Sequence, residues 1–146
     1  MLRRLVALTL VTATALHAQI IGGPGPTSNF MPFGGFSNVG TPPATIYQQL
    51  FSAESWSAPV TFTGVRFFRA SNAGAYRSGT YSVFLSTSSR TVQGSNTLSI
   101  TDFDSNRGAD NTLIGTLTLG GNAEATLTFT GGSFSYNPSM GNLLLD

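Results

Sequence analysis

Ala125-Thr126-Leu127-Thr128-Phe129-Thr130 alternates apolar and hydroxyl side chains. Successive side chains of an extended strand point to opposite faces, so this spacing puts Ala125, Leu127 and Phe129 on one face and three threonines on the other. Such a strand has one face in a core and the other in water. The same period of two runs through Tyr81, Val83 and Leu85, set against Ser82, Phe84 and Ser86, and through Leu113, Leu117 and Leu119, with Gly115 on their face. Residues 60–69 read alike, but their apolar phase slips across Gly64, which predicts a bulge there.

Between these runs stand Asn72-Ala73-Gly74, Gly120-Gly121-Asn122, Gly131-Gly132 and Asn137-Pro138, all residue types that accept tight turns. Short alternating runs punctuated in this way predict an all-β fold, an antiparallel β-sandwich of jelly-roll-like form. No window carries the period of an amphipathic helix, apart from one turn's worth at residues 47–53. Leu143-Leu144-Leu145 is an unbroken apolar run, as expected of a strand buried on both faces.

The chain opens with Arg3 and Arg4, an apolar run at residues 5–16, and a small residue, Ala18, before Gln19. Basic, apolar and small parts in that order form an export signal, so residues 1–18 are expected to be removed and the product to be secreted or extracellular. The apolar run is shorter than the ~20 residues that span a bilayer, and the mature chain has no membrane span of its own. Residues 19–44, with Gly22-Gly23-Pro24-Gly25-Pro26 and Thr41-Pro42-Pro43, form a Gly/Pro-rich irregular segment whose Phe30, Phe33 and Phe36 could lie along the domain as a flap. Residues 45–146 remain for the sandwich.

After residue 18 the chain has no histidine, cysteine or lysine, and its five arginines face six acids. The mature net charge is therefore minus one, and no basic stripe exists to hold a phosphate backbone; nucleic acid is excluded as a partner. Without cysteine, stability rests on core burial alone. Serine or threonine nucleophiles would lack a base to take their proton. A carboxylate pair could still cleave a glycan, but no two acids are placed opposite each other by the strand pattern.

Asp102-Phe103-Asp104-Ser105-Asn106-Arg107-Gly108-Ala109-Asp110 carries the one local signal for a ligand. Asp102, Asp104, Asn106 and Asp110 offer oxygens at spacings akin to a Ca²⁺ loop. The sharp-turn glycine, however, stands at the seventh place, and Leu113 occupies the place of the bidentate glutamate. The competing reading, which the departures favour, is a polar loop whose Asx side chains bond their own backbone, with no cofactor. Trp56, set among serines, would stack on a sugar if exposed and would plug the core if not. Phe103 and Tyr136 are expected in the core, and Arg66 and Arg69 on the solvent side of their strand.

Five runs taken together carry a resemblance: Tyr47-Gln48-Gln49-Leu50-Phe51, Val60-Thr61-Phe62-Thr63-Gly64-Val65-Arg66-Phe67-Phe68, Tyr81-Ser82-Val83-Phe84-Leu85-Ser86-Thr87-Ser88, Gly108-Ala109-Asp110-Asn111-Thr112, and Phe134-Ser135-Tyr136-Asn137-Pro138 leading to Gly141-Asn142-Leu143-Leu144-Leu145-Asp146. Over residues 45–146 the chain resembles the exported domain of bacterial PEP-CTERM sorting-domain proteins. That family implies a secreted β-rich domain followed by a Pro-Glu-Pro signal, a membrane helix and a basic end. No such signal stands after Gly141, so the resemblance implies a sandwich truncated before its C-terminal strand or strands. Family members are mostly of unknown role; with the missing proton shuttles and thiols, the reading is a noncatalytic extracellular surface or matrix component, with extracellular polysaccharide or the surface matrix as its expected partner. The alternatives are a carbohydrate-binding module using Trp56 and a small carboxylate-dependent glycan-cleaving enzyme.

Intact-mass analysis of the secreted protein should give a chain beginning at Gln19. A soluble product retaining residues 1–18 would overturn the export reading.

Overall fold

The computed structural model describes residues 46–68, 76–121 and 124–146. The expected export signal and the Gly/Pro-rich segment lie outside these residues, as do Arg69, Asn72-Ala73-Gly74 and Asn122. Six strands follow in order: β1 (Gln49–Phe51), β2 (Val60–Phe68), β3 (Gly79–Ser88), β4 (Thr112–Leu119), β5 (Thr126–Tyr136) and β6 (Asn142–Leu145). They form two antiparallel sheets, one in the order β1-β6-β3-β4 and the other a β2-β5 pair. The sheets face each other as a β-sandwich, as the alternation predicts.

Between them lies the core. Val83, Leu85, Ile114, Leu119, Leu143 and Leu145 come from the larger sheet, and Leu127, Phe129, Phe134 and Tyr136 from β5. Val60, Phe62, Val65 and Phe67 of β2 close it from the side, half-buried. Each fully buried Leu, Ile or Phe contributes roughly 1.5–3 kcal/mol relative to exposure, which makes this two-sheet contact the main stabilising term in a chain without disulfides. Arg66 faces solvent and Tyr136 is buried in the core, in line with the sequence, whereas Phe103, expected in the core, is half-buried outside it. Ala125, expected on the core face beside Leu127, instead precedes β5 and is exposed.

Three assignments, of a face, a turn and a helical segment, are corrected. In β4 it is Ile114 that is wholly buried, whereas Leu113 is 45% exposed. Val83 pairs with Gly115 and Phe84 with Leu113, so Ile114 is an extra residue in a bulge, and the bulge rotates the strand's phase by one position. Gly131-Gly132, read as a turn, lies inside β5. There Phe62 pairs with Phe134 and Gly64 with Thr130, which leaves Gly131, Gly132 and Ser133 opposite Thr63 alone. The irregularity expected at Gly64 is present, but the extra residues are on its partner, and Gly131 adopts the positive φ of 119° that such a kink requires. The helical turn expected at residues 47–53 is instead β1 followed by a short 3-10 turn, Ala53–Ser55, started by the Ser52 hydroxyl accepting from Glu54 N.

The two bulges meet. A Cβ on Gly115 would stand 2.6 Å from Thr130 N and 2.8 Å from its O, and one on Gly132 would stand 2.0 Å from Leu113 O. Glycine is thus what lets the edges of the two sheets, β4 and β5, run backbone against backbone.

The obstacle at Gly115 is main chain and cannot rotate away, so Gly115→Ala should cost about 2–3 kcal/mol in denaturant unfolding. Thr118→Ala, on the outer face of the same strand, should stay within about 0.5 kcal/mol. Equal effects at the two positions would refute the close approach.

Candidate functional site

The chain between β3 and β4, residues 89–111, has one regular element, a 3-10 turn at Asp104–Asn106. Its centre is Asn106, which is 1% exposed. The Asn106 amide donates to Gln48 Oε1 at 2.7 Å and to Ser99 O at 2.9 Å, and its Oδ1 accepts from Ser99 N at 2.8 Å. Its main-chain carbonyl accepts from Ser88 Oγ at 2.6 Å, while Gln48 Nε2 donates to Phe103 O at 3.0 Å. The Asn106 side chain therefore ties the loop to itself and to the residue preceding β1, while its main-chain carbonyl ties it to β3. The side chain is buried, with both amide hydrogens and its oxygen engaged.

The three aspartates are occupied in separate ways. Asp102 Oδ1 accepts from Ser105 N, three residues on, at 3.2 Å. Asp104 forms an ion pair with Arg107. Asp110 Oδ1 accepts from Thr87 N at 2.8 Å, where its carboxylate takes the place of a strand carbonyl just before β4 begins. The four Ca²⁺ candidates thus share a loop but do not converge, and among the described residues no three acids, histidines or cysteines stand together as a metal would need. Asp102 and Asn106 bond main chain of their own loop, Asp104 bonds a side chain of it, and Asp110 bonds the main chain of β3.

Trp56 is 5% exposed and stands edge-on to Phe51, Phe62 and Tyr136 at centroid distances of 6.4, 6.3 and 5.1 Å. It offers no face to a sugar; the 3-10 turn before it rotates the indole inward despite its polar neighbours. Its Nε1 finds no acceptor among the described residues. An unmade bond costs about 1–3 kcal/mol. Burial of an indole of some 150–250 Å² returns roughly 4–6 kcal/mol, so the placement is favourable on balance. Burial raises the Tyr136 phenol above its ordinary pKa, and its hydroxyl donates to Gly141 O at 2.7 Å.

What sequence reasoning missed is the far end of the loop. Arg107 also forms an ion pair with Asp146, just past β6, and Arg90 donates to Ser105 O and Oγ and to Asn96 Oδ1. Asn142 ties three segments: its Nδ2 donates to Arg90 O and its Oδ1 accepts from Ala53 N. The Asp146 hydrogen bond, with the attraction of Asp146 and Asp104, holds the Arg107 pKa above its usual value against desolvation. Beside this ion pair lies a groove of about 190 Å³, lined on its inner side by Tyr47, Phe67, Val83 and Leu145 and on its outer side by Ser82 and Arg107.

Comparison with protein-family models, with curated proteins and with solved structures returns no match.

Loss of three side-chain bonds in a buried site should make Asn106→Ala about 2–4 kcal/mol less stable. Millimolar Ca²⁺ should shift the wild-type melting temperature by less than about 1 °C, because an ion with no site in the folded state cannot stabilise it. A larger rise that Asp104→Ala abolishes would restore the metal reading.

Proposed function

We propose that this chain is an exported, noncatalytic β-sandwich serving as an extracellular surface or matrix component, of the kind its residues 45–146 resemble in bacterial PEP-CTERM sorting-domain proteins. The observation that carries this reading is the use made of the acids. Asp102 and Asp110 hold backbone N–H groups, and Asp104 and Asp146 flank the same arginine. A hydrolase needs two carboxyl groups facing across an open space, one of them free to move a proton. Here the two acids that approach each other are joined by a cation.

The outer faces support the same reading. Thr80 pairs with Thr118 at 3.2 Å, Ser82 with Thr116 at 3.0 Å and Thr61 with Ser135 at 3.4 Å, all across strands and all exposed. Such neutral hydroxyl ladders suit a hydrated polysaccharide matrix better than a charged partner, and they stabilise the strand pairs that carry them. The carbohydrate-binding alternative loses its aromatic platform with the burial of Trp56 and would rest on these hydroxyls alone.

The full chain, tagged and expressed in a bacterium that makes a polysaccharide matrix, should fractionate with the surface and matrix and be released by polysaccharide-degrading treatment. It should also liberate no reducing ends from matrix glycans. Retention in the cytoplasm, or glycan cleavage lost on Asp104→Asn, would overturn the proposal.

A further inference from the structure

Every strand pair among the described residues joins the first half of the chain to the second. β1 pairs with β6, β2 with β5, and β3 with both β4 and β6. Among the described residues no two of β1, β2 and β3 pair with each other, nor do any two of β4, β5 and β6. Both sheets are therefore built jointly, and neither half has a ladder of its own. The core is shared in the same way, with Trp56, Val83 and Leu85 of the first half set among Ile114, Leu127, Phe129, Tyr136 and Leu143 of the second. Residues 89–111 are the covalent link between the halves.

That link is fastened at both ends and exposed in the middle. Before the tip, Arg90 N donates to Ser88 Oγ at 3.2 Å and Arg90 O accepts from Asn142 Nδ2 at 2.7 Å. After it, Asn106 donates to Gln48 Oε1 and accepts from Ser88 Oγ, Gly108 N donates to Ser86 Oγ, and Asp110 accepts from Thr87 N. Between these anchors every residue from Thr91 to Thr97 is exposed, the apolar Val92 included. Thr91 N donates to Asn96 O at 2.8 Å, and the Asn96 side chain donates to Ser89 O and accepts from Arg90, which closes the tip as a small hairpin. Bonds so open to water break locally at low cost. A tip of small and polar residues of this kind is where an endoprotease gains entry.

We propose that residues 91–97 are a proteolytic processing site, and that a cut there leaves a folded two-chain protein. Water adds across one peptide bond, giving a carboxylate end on the first chain and an ammonium end on the second, and no other bond changes. The first chain keeps β1, β2 and β3; the second keeps β4, β5 and β6. All strand ladders then become contacts between chains, and so do the bonds from Asn106, Gly108, Asp110 and Asn142. Fraying of the new ends stops at these anchors. Folding becomes association, so the stability of the cut protein depends on its concentration, and either chain alone is left without ladder partners. The inference stands on topology and is independent of the proposed extracellular role.

The full chain is treated under native conditions with a trace of subtilisin, an endoprotease of broad specificity, and cuts are placed by mass spectrometry of the fragments. A cut is expected within residues 91–97. The fragments on its two sides should elute together in gel filtration and separate in denaturant. Followed by circular dichroism, the melting temperature of the cut protein should fall by about 5–10 °C for each tenfold dilution, while that of the uncut chain stays constant. Resistance of every bond in residues 91–97, fragments that part in gel filtration without denaturant, or a cut protein whose melting temperature ignores dilution would each overturn the proposal. No substitution is made, so a folding defect cannot imitate the result.

Discussion

The structure depends on a strand that must be covered on both faces. Leu143 and Leu145 of β6 enter the core between the sheets, whereas Leu144 is equally buried but points the other way, on the face it shares with its ladder partner Ser86. A sandwich covers only the inner face of each sheet. The outer face over β6 and β3 has to be closed by something else, and residues 89–111 close it. Gly108 N donates to Ser86 Oγ, Ser88 Oγ donates to Asn106 O, and both serines are fully buried as a result. The long connection between β3 and β4 is therefore a third layer over part of the sheet, and its polar interior is why so many of its side chains bond to main chain.

That layer also accounts for the partners its acids take. A loop with one short turn leaves many N–H and carbonyl groups without ladder partners. Asp102, Ser99 and Asn106 satisfy some of them locally, Asp110 accepts from Thr87 N of β3, and Arg107 bridges the loop to the end of β6. The residues that looked like donors to a cation are donors and acceptors to the chain itself.

Legibility of the sequence follows the range of the interactions involved. Period two was enough to place β3, β5 as far as Thr130 and most of β2 and β4, because alternation is a property of each strand alone. The two-sided burial of residues 143–145 was likewise visible in three adjacent leucines. The phase of Ile114 was not visible, since the bulge that buries it is defined only against Val83 and Phe84 of another strand. Gly131-Gly132 misled for a related reason: a glycine pair satisfies a turn and a kinked strand equally, and only the register with β2 decides between them. Gln48 is remote from Asn106 in sequence, as Arg107 is from Asp146, so no local motif could announce either contact.

The buried indole has a spectroscopic consequence. Trp56 is the one tryptophan of the chain, and it sits in an apolar, aromatic cage without a hydrogen bond from its ring nitrogen among the described residues. An indole in such surroundings emits at short wavelength and moves to the red when water reaches it. Its neighbours come from β1, β2 and β5, which belong to different sheets. The intrinsic fluorescence of this protein is thus a built-in gauge of sheet separation, sensitive to the two layers parting and indifferent to rearrangements confined to the loop on the far face.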